Sequence, residues 1–160
     1  MTIERHFTAT GFVVHDGHIA LHWHPKVRKW LPPGGHIEAK EDPVQAVLRE
    51  IMEETGVIAE VVVIDDFTDL GCSEQIQPPL TIMVEDIDDP ITGFHQHIDM
   101  IYVCQPLGFV PALNDGWIWV SESDLAESTP LSNDGCVSIS PPQDVRILGE
   151  RAFRIVEDFG

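Results

Sequence analysis

Positive charge is scarce in this sequence: 9 Lys and Arg stand against 27 Asp and Glu in 160 residues, a formal charge of −18. Such a chain lacks the basic surface that holds a nucleic-acid backbone, so no nucleic-acid polymer is expected as a partner. If the ligand is instead a small phosphate compound, the protein's own field opposes its approach, and bound divalent cations would reverse that sign locally. Cysteine is sparse too. Cys72, Cys104 and Cys136 are odd in number, far apart and without a CxxC pair, which argues against a disulfide framework or a cysteine zinc site and points to a reducing cytoplasm. The three are expected to pack as small hydrophobes. No run approaches the roughly 18 apolar residues of a membrane span, and MTIERHFTAT has no basic stretch followed by an apolar one. A soluble protein with no membrane partner is expected. Repeats, low-complexity tracts and linkers are also absent, so residues 1–160 are expected to form a single domain.

What is present begins with a hairpin signal. FTATGFVVH and HIALHWH flank Asp16-Gly17, a pair that accepts the positive φ angles of a type I′ turn. Pro25 to Lys29 reads as a basic loop, and Trp30-Leu31-Pro32-Pro33-Gly34-Gly35 as too rich in Pro and Gly for a helix or a central strand. Asp42-Pro43, with Gln45 three residues after Asp42, predicts a capped helix start, and Gly56 a left-handed stop. Short strands are predicted at 59–64, 80–84, 97–104 and 117–120, separated by acidic or Pro-containing loops, and a second helix over 142–158. Strands before and after a helix, with a terminal helix, give a mixed sheet covered by helices, an α/β or α+β layered domain.

The first helix carries an unusual charge pattern. Val44, Val47, Leu48 and Ile51 fill an arc of roughly 100°, the width of a core-facing stripe, and Glu50, Glu53 and Glu54 fill another beside it. A solvated acidic face would intersperse cations to gain i, i+4 pairs, yet Arg49 is the one cation near these acids and the repulsion is left uncompensated. Three carboxylates on a rigid helix suit a hard cation such as Mg²⁺, and the glycine pair before the helix offers backbone groups with no side chain in the way.

The stretch resembles the Nudix box: Gly35, five residues, Glu41, seven residues, then Arg49-Glu50-Ile51-Met52-Glu53-Glu54-Thr55-Gly56-Val57. Every fixed position of that signature is filled. The resemblance implies a Nudix-type α/β/α sandwich with a mixed β-sheet between helices. It implies a hydrolase that, with Mg²⁺ or Mn²⁺, attacks phosphorus in a nucleoside diphosphate linked to another moiety. By the same resemblance Glu50, Glu53 and Glu54 are metal ligands beside the Gly34 carbonyl. Arg49 holds the carboxylates, and Glu41 supports them or a further metal. Glu50, Glu53 and Arg49 are the catalytic residues the resemblance implies, and the general base stays open between Glu50 of the box and a distant loop acid, with Glu74, Glu85, Asp86, Asp115 and Glu122 as candidates.

The lead-in from Trp30 to Gly35 is similar to antimutator-type pyrophosphohydrolases, so a (deoxy)nucleoside triphosphate is the leading substrate. ADP-ribose or a nucleotide sugar comes next, and a non-catalytic nucleotide-sensing domain is the alternative of another class. The partner is therefore a small-molecule nucleotide, with a homodimer left open. Substrate contacts are sought in Trp30, Arg28, His24 and Phe94, all in or beside loops. Trp117 and Trp119, alternating on one strand face, are read as core. His22, His24, His95 and His97 form two HxH pairs whose four imidazoles could meet around zinc, although surface histidines are the ordinary reading.

Overall fold

Asp16 and Gly17 both take positive φ, 47° and 71°, and close the hairpin between β1 (Arg5–His15) and β2 (His18–His24) as expected. The computed structural model describes residues 2–64, 70–71, 73–132 and 138–159. Cys72 and Cys136 lie outside the described residues, while Cys104 is fully buried.

The Pro- and Gly-rich lead-in contains two short strands where a loop was expected. β3 (Lys29–Leu31) pairs with β2 at the sheet edge, and β4 (Gly34–His36) pairs with β1 through Thr8↔His36, Ala9↔Gly35 and Thr10↔Gly34. Pro32 and Pro33, which cannot donate to a ladder, fall between the two strands. α1 (Pro43–Thr55) starts with both halves of a capping box, Asp42 to the Gln45 N–H and the Gln45 side chain to the Asp42 N–H, and ends at Gly56 in the left-handed region.

Beyond α1 the chain forms β5 (Ala59–Val61), β6 (Thr81–Asp89), β7 (Gly93–Pro106), β8 (Trp117–Ser121), α2 (Glu122–Ala126) and α3 (Gln143–Phe159). The third strand of the prediction is thus shorter than expected, and β6 and β7 are much longer. Residues 85–89, four of them acids, read as loop because Asp and Glu are poor strand formers in isolation. Pairing with β7 from Thr81↔Ile101 to Asp89↔Gly93 overrides that preference. Along β6 alternate residues are half-buried and exposed, Asp86 and Asp88 being among the exposed ones. The five-residue α2 was not anticipated; Ser121 caps it by accepting from the Asp124 N–H.

The strand order is β3-β2-β1-β7-β5, with β4 on β1, β6 on β7 and β8 on β2. β1 and β7 run parallel, from Arg5↔Gln96 to Val13↔Cys104, while the other pairs are antiparallel. β1 alternates between the two faces. Ala9 and Val13 join Ala46, Val47 and Ile51 of α1 in one core, and Phe12 and Val14 join Val145, Leu148, Ala152 and Phe153 of α3 in the other. The mixed sheet therefore lies between helices, the α+β class expected. Trp117 and Trp119 pack against the α1-side core as read from their alternation.

Candidate active site

α1 is seated by its apolar stripe. Val47 and Ile51 are fully buried and Val44 and Leu48 pack against the same core, each full burial contributing about 1.5–3 kcal/mol. That seating turns the neighbouring acidic face toward β4. The Gly34 N–H donates to Glu54 Oε2 at 3.0 Å. A Cβ on Gly35 would stand 2.4 Å from Glu50 Oε1, so only glycine lets the strand approach that carboxylate.

Arg49 organises the acids. Its Nε and Nη2 donate to the two oxygens of Glu41 at 2.6 and 3.0 Å, Nη1 to Glu50 Oε1 at 2.7 Å and Glu53 Oε2 at 3.2 Å, and Nη2 also to the His36 carbonyl at 3.1 Å. The fork holds the Glu41 carboxyl below the usual range. Glu54 receives no such bond from Arg49. Burial, followed by repulsion from Glu50 and Glu53, pushes its carboxyl up to about 7 despite the Gly34 N–H. The helix C-terminus beneath the cluster is held by Asn114, whose Nδ2 donates to the Glu54 carbonyl at 3.0 Å.

The crowded carboxylates and the Cβ-free approach at Gly35 fit a hard divalent cation. The donors are oxygens, and a cation would offset the repulsion from Glu50 and Glu53 that adds to burial in raising Glu54.

Gly34 and Gly35 also line a cavity of about 720 Å³. Its walls include Thr8 and Thr10 of β1, His36 of β4, Met83 to Asp89 on or at the end of β6 except Val84, His95, His97 and Asp99 of β7, and Asp144, Val145 and Leu148 near the start of α3. The carboxylates of α1 and the cavity thus share the two glycines.

Of the proposed substrate contacts, His24 lines this cavity, whereas Arg28 and Phe94 do not. Trp30 is a correction: it sits inside β3 with no exposed surface, tilted against Trp23 at 5.7 Å, so it has no open face for a base. Of the base candidates, Glu85 and Asp86 line the cavity, but on strand β6 and not on a loop. Glu74, Asp115 and Glu122 lie away from it, Glu122 opening α2. Glu85 is raised above the usual range by burial and then by Asp99 and Asp144.

Sequence reasoning missed Asp99. It is almost fully buried, accepts from Thr8 Oγ1 at 2.9 Å and Thr10 Oγ1 at 2.8 Å, and is raised by burial. A lone acid inside the apolar run IDMIYVC was the available signal. The zinc idea also changes partners. His95 and His97 meet His6 and His36, while His22 stacks on Trp117 across the β2–β8 pair.

Residues 5–135 match the model of the NUDIX domain. The chain belongs to the NUDIX family. Among NUDIX structures it is similar to a hydrolase from Clostridium perfringens, with 25% identity, a TM-score of 0.75, and coverage of 96% of this chain and 99% of that one. Among curated NUDIX proteins it is 33% identical over 121 residues to the m7GpppN-mRNA hydrolase NUDT17 of Danio rerio, covering 69% of this chain. It is 45% identical over 51 residues to that of Xenopus laevis, covering 32% of this chain. The aligned stretches span 38% and 16% of those relatives' own lengths. Family membership and the intact box identify a hydrolase of the broad class that splits nucleoside diphosphate-linked compounds, a family that generally uses divalent metals. No helix among the described residues is long and apolar enough to cross a membrane.

Proposed function

We propose that residues 1–160 act as one catalytic domain that hydrolyses a nucleoside diphosphate linked to another moiety with Mg²⁺ or Mn²⁺, a (deoxy)nucleoside triphosphate being the leading substrate. The observation that carries the reading is the shared glycine pair. Glu54 and Glu50 close on Gly34 and Gly35 from one side, and the cavity opens on the same two residues from the other. A phosphate chain bridging the two would meet the cation ligands at one end and leave its nucleoside in the cavity.

Glu50, Glu53 and Glu54 would hold the cation, with the Gly34 carbonyl beside them. When bound, the ion offsets charge gathering on the phosphates and makes water easier to deprotonate. Arg49 orients Glu50 and Glu53 through its donors. Both oxygens of Glu41 are engaged by Arg49, which favours a supporting role for Glu41 over metal ligation. For the base, Glu85 is a candidate beside Glu50, because it is a half-buried carboxyl in the cavity whose proton affinity is raised by burial.

The NUDT17 relatives are named for hydrolysis of m7GpppN-mRNA, and a cap is itself a nucleoside joined through phosphates. The excess of acids, 27 against 9 bases, disfavours an RNA body as ligand and supports a small nucleotide.

The test is a screen of nucleoside di- and triphosphate derivatives with Mg²⁺ and Mn²⁺, products read by mass in ¹⁸O-water. A nucleoside monophosphate together with label on a phosphoryl product is expected. Release of orthophosphate alone from every active nucleotide would overturn the reaction proposed.

A further inference from the structure

Four histidines from three strands meet beside the cavity. His6 comes from β1, His36 from β4, and His95 and His97 from β7. The register explains the meeting: His6 pairs with His97 across the parallel ladder, and Thr8, two residues along β1, pairs with His36. Ring centroids of His95 and His97 lie 5.1 Å apart, His6 and His95 4.9 Å, and His36 and His97 5.0 Å. One nitrogen from each of His6, His95 and His97 falls within 4.8 Å of the others.

The nitrogens are arranged for ligation. His95 Nδ1 lies 2.9 Å from the Gly93 carbonyl. A carbonyl only accepts, so Nδ1 carries the proton and Nε2 of the neutral ring presents a lone pair. That Nε2 is 3.2 Å from His97 Nε2. His6 Nε2 lies 3.1 Å from Glu4 Oε1, leaving Nδ1, which stands 3.3 Å from His36 Nε2. A ring nitrogen tied to a carbonyl or carboxylate while the other stays free is the outer support that metal-binding histidines use. With Zn–N bonds of about 2.0–2.1 Å, two ligands of one tetrahedral ion sit about 3.3 Å apart, the separation of the His95–His97 and His6–His36 nitrogens, and the His6, His95 and His97 set closes to within 4.8 Å.

We propose that His6, His95 and His97 bind a borderline transition-metal ion of the Zn²⁺ class, with His36 or water as fourth ligand, at a site distinct from the carboxylate cluster. Donor chemistry separates the two sites, since imidazole suits Zn²⁺, Co²⁺ or Ni²⁺ whereas carboxylates and waters suit Mg²⁺ and Mn²⁺. His95 is almost fully buried, so its cost of ordering is already met in the fold. His36, His95 and His97 line the cavity together with Glu85, Asp86, Asp88, Asp89, Asp99 and Asp144. An ion on the imidazoles adds positive charge to that acidic wall, where an anionic ligand must enter.

The test uses the full chain without a histidine tag, stripped with chelator, carrying Glu53→Gln and Glu54→Gln so that the box carboxylates bind little metal. Zn²⁺ and Co²⁺ are titrated in excess Mg²⁺. One equivalent of Zn²⁺ should bind with micromolar or tighter affinity, and the Co²⁺ form should show the strong visible bands of a tetrahedral site. His97→Gln should weaken binding by about 100-fold, the upper end of what loss of even an outer partner costs, and remove the bands. His6→Gln, on β1, should do the same, and it carries the test where circular dichroism shows that His97→Gln disturbs folding. His22→Gln, outside the cluster, should leave both signals intact. Zn²⁺ binding that Mg²⁺ displaces, or that survives both His6→Gln and His97→Gln, would overturn the proposal. The hydrolytic reading is untouched by either result, because no turnover is measured.

Discussion

The backbone N–H of Gly34 donates to Oε2 of Glu54 at 3.0 Å across twenty residues of sequence, and this tie holds a half-buried acid of the cluster against β4. Glu54 keeps its proton up to about 7 in the folded protein, chiefly through burial. Its folded value lies above its unfolded one. The stability it contributes is therefore fully present below the unfolded value and lost as pH rises through about 7. In metal-free protein, the gain in Tm from Glu54→Gln over wild type should be small at about pH 5 and larger at about pH 8. After discounting for solvent screening the difference is about 1 kcal/mol. His97, held down at about 4, gives the opposite slope, stability lost as pH falls, but it is common to both proteins and cancels. Equal gains at both pH values would mean that Glu54 titrates as an ordinary surface acid.

Glu53→Gln and Glu54→Gln keep shape and helix propensity while each removes one charged oxygen ligand. Turnover should fall by orders of magnitude with the circular dichroism spectrum unchanged. Glu127→Gln is the matched control, an exposed residue just past α2, and should hydrolyse like wild type. Equal rates for all three variants at saturating Mg²⁺ would refute the ligand roles.

Gly35→Ala probes the close approach directly. Its methyl would stand 2.4 Å from Glu50 Oε1, and the flexible end of Glu50 can swing away at little cost to folding. The carboxylate would then be misplaced by an ångström or more, so turnover should drop about 100-fold with Tm little changed. A fall in Tm that accounts for the lost activity would assign Gly35 to folding and not to the site.

Arg49→Lys retains the charge but not the fork. One ammonium cannot span both Glu41 oxygens while reaching Glu50 and the His36 carbonyl, so Mg²⁺ affinity and kcat should fall together. A lysine variant with wild-type kinetics would show that only the charge matters.

Mg²⁺ should raise Tm, because the cation binds the folded cluster and not the unfolded chain; at about 100 times Kd the gain is about 2.7 kcal/mol. Ca²⁺ should support hydrolysis poorly, its longer and looser coordination misplacing the attacked phosphorus. A melting curve indifferent to saturating Mg²⁺, or full activity in EDTA, would contradict a cation site at these residues.

Local signals carried far in this chain. Asp42, Gln45 and Gly56 bounded α1 because each acts within one turn of the backbone, and the apolar stripe through Val47 and Ile51 oriented it. Asp16-Gly17 specified its turn for the same reason. The failures were non-local. β6 emerged from an acidic run only because β7 supplies its ladder. Trp30 went into the core because β3 pairs with β2 and sets its ring on Trp23. Spacing allowed His22 and His24 to join His95 and His97, although surface histidines were the ordinary reading. The parallel register of β1 and β7 chose His6 instead, a residue with no histidine near it in sequence.

That register has a consequence in time. Every β1–β7 pair joins residues separated by 91 positions, as Thr8 and Asp99 do through their side chains. The central ladder must therefore close a very long loop before any of its bonds form, an entropic cost that slows folding relative to proteins built from neighbouring strands. During synthesis β1 and α1 leave the ribosome well before β7 exists. Until then Ala9, Val13 and Ile51 can meet, but the Asp99 that anchors Thr8 and Thr10 is not yet in the chain. The half-made protein exposes an unpaired β1 edge, so dependence on a holding chaperone should be greatest for nascent chains that end before Pro106.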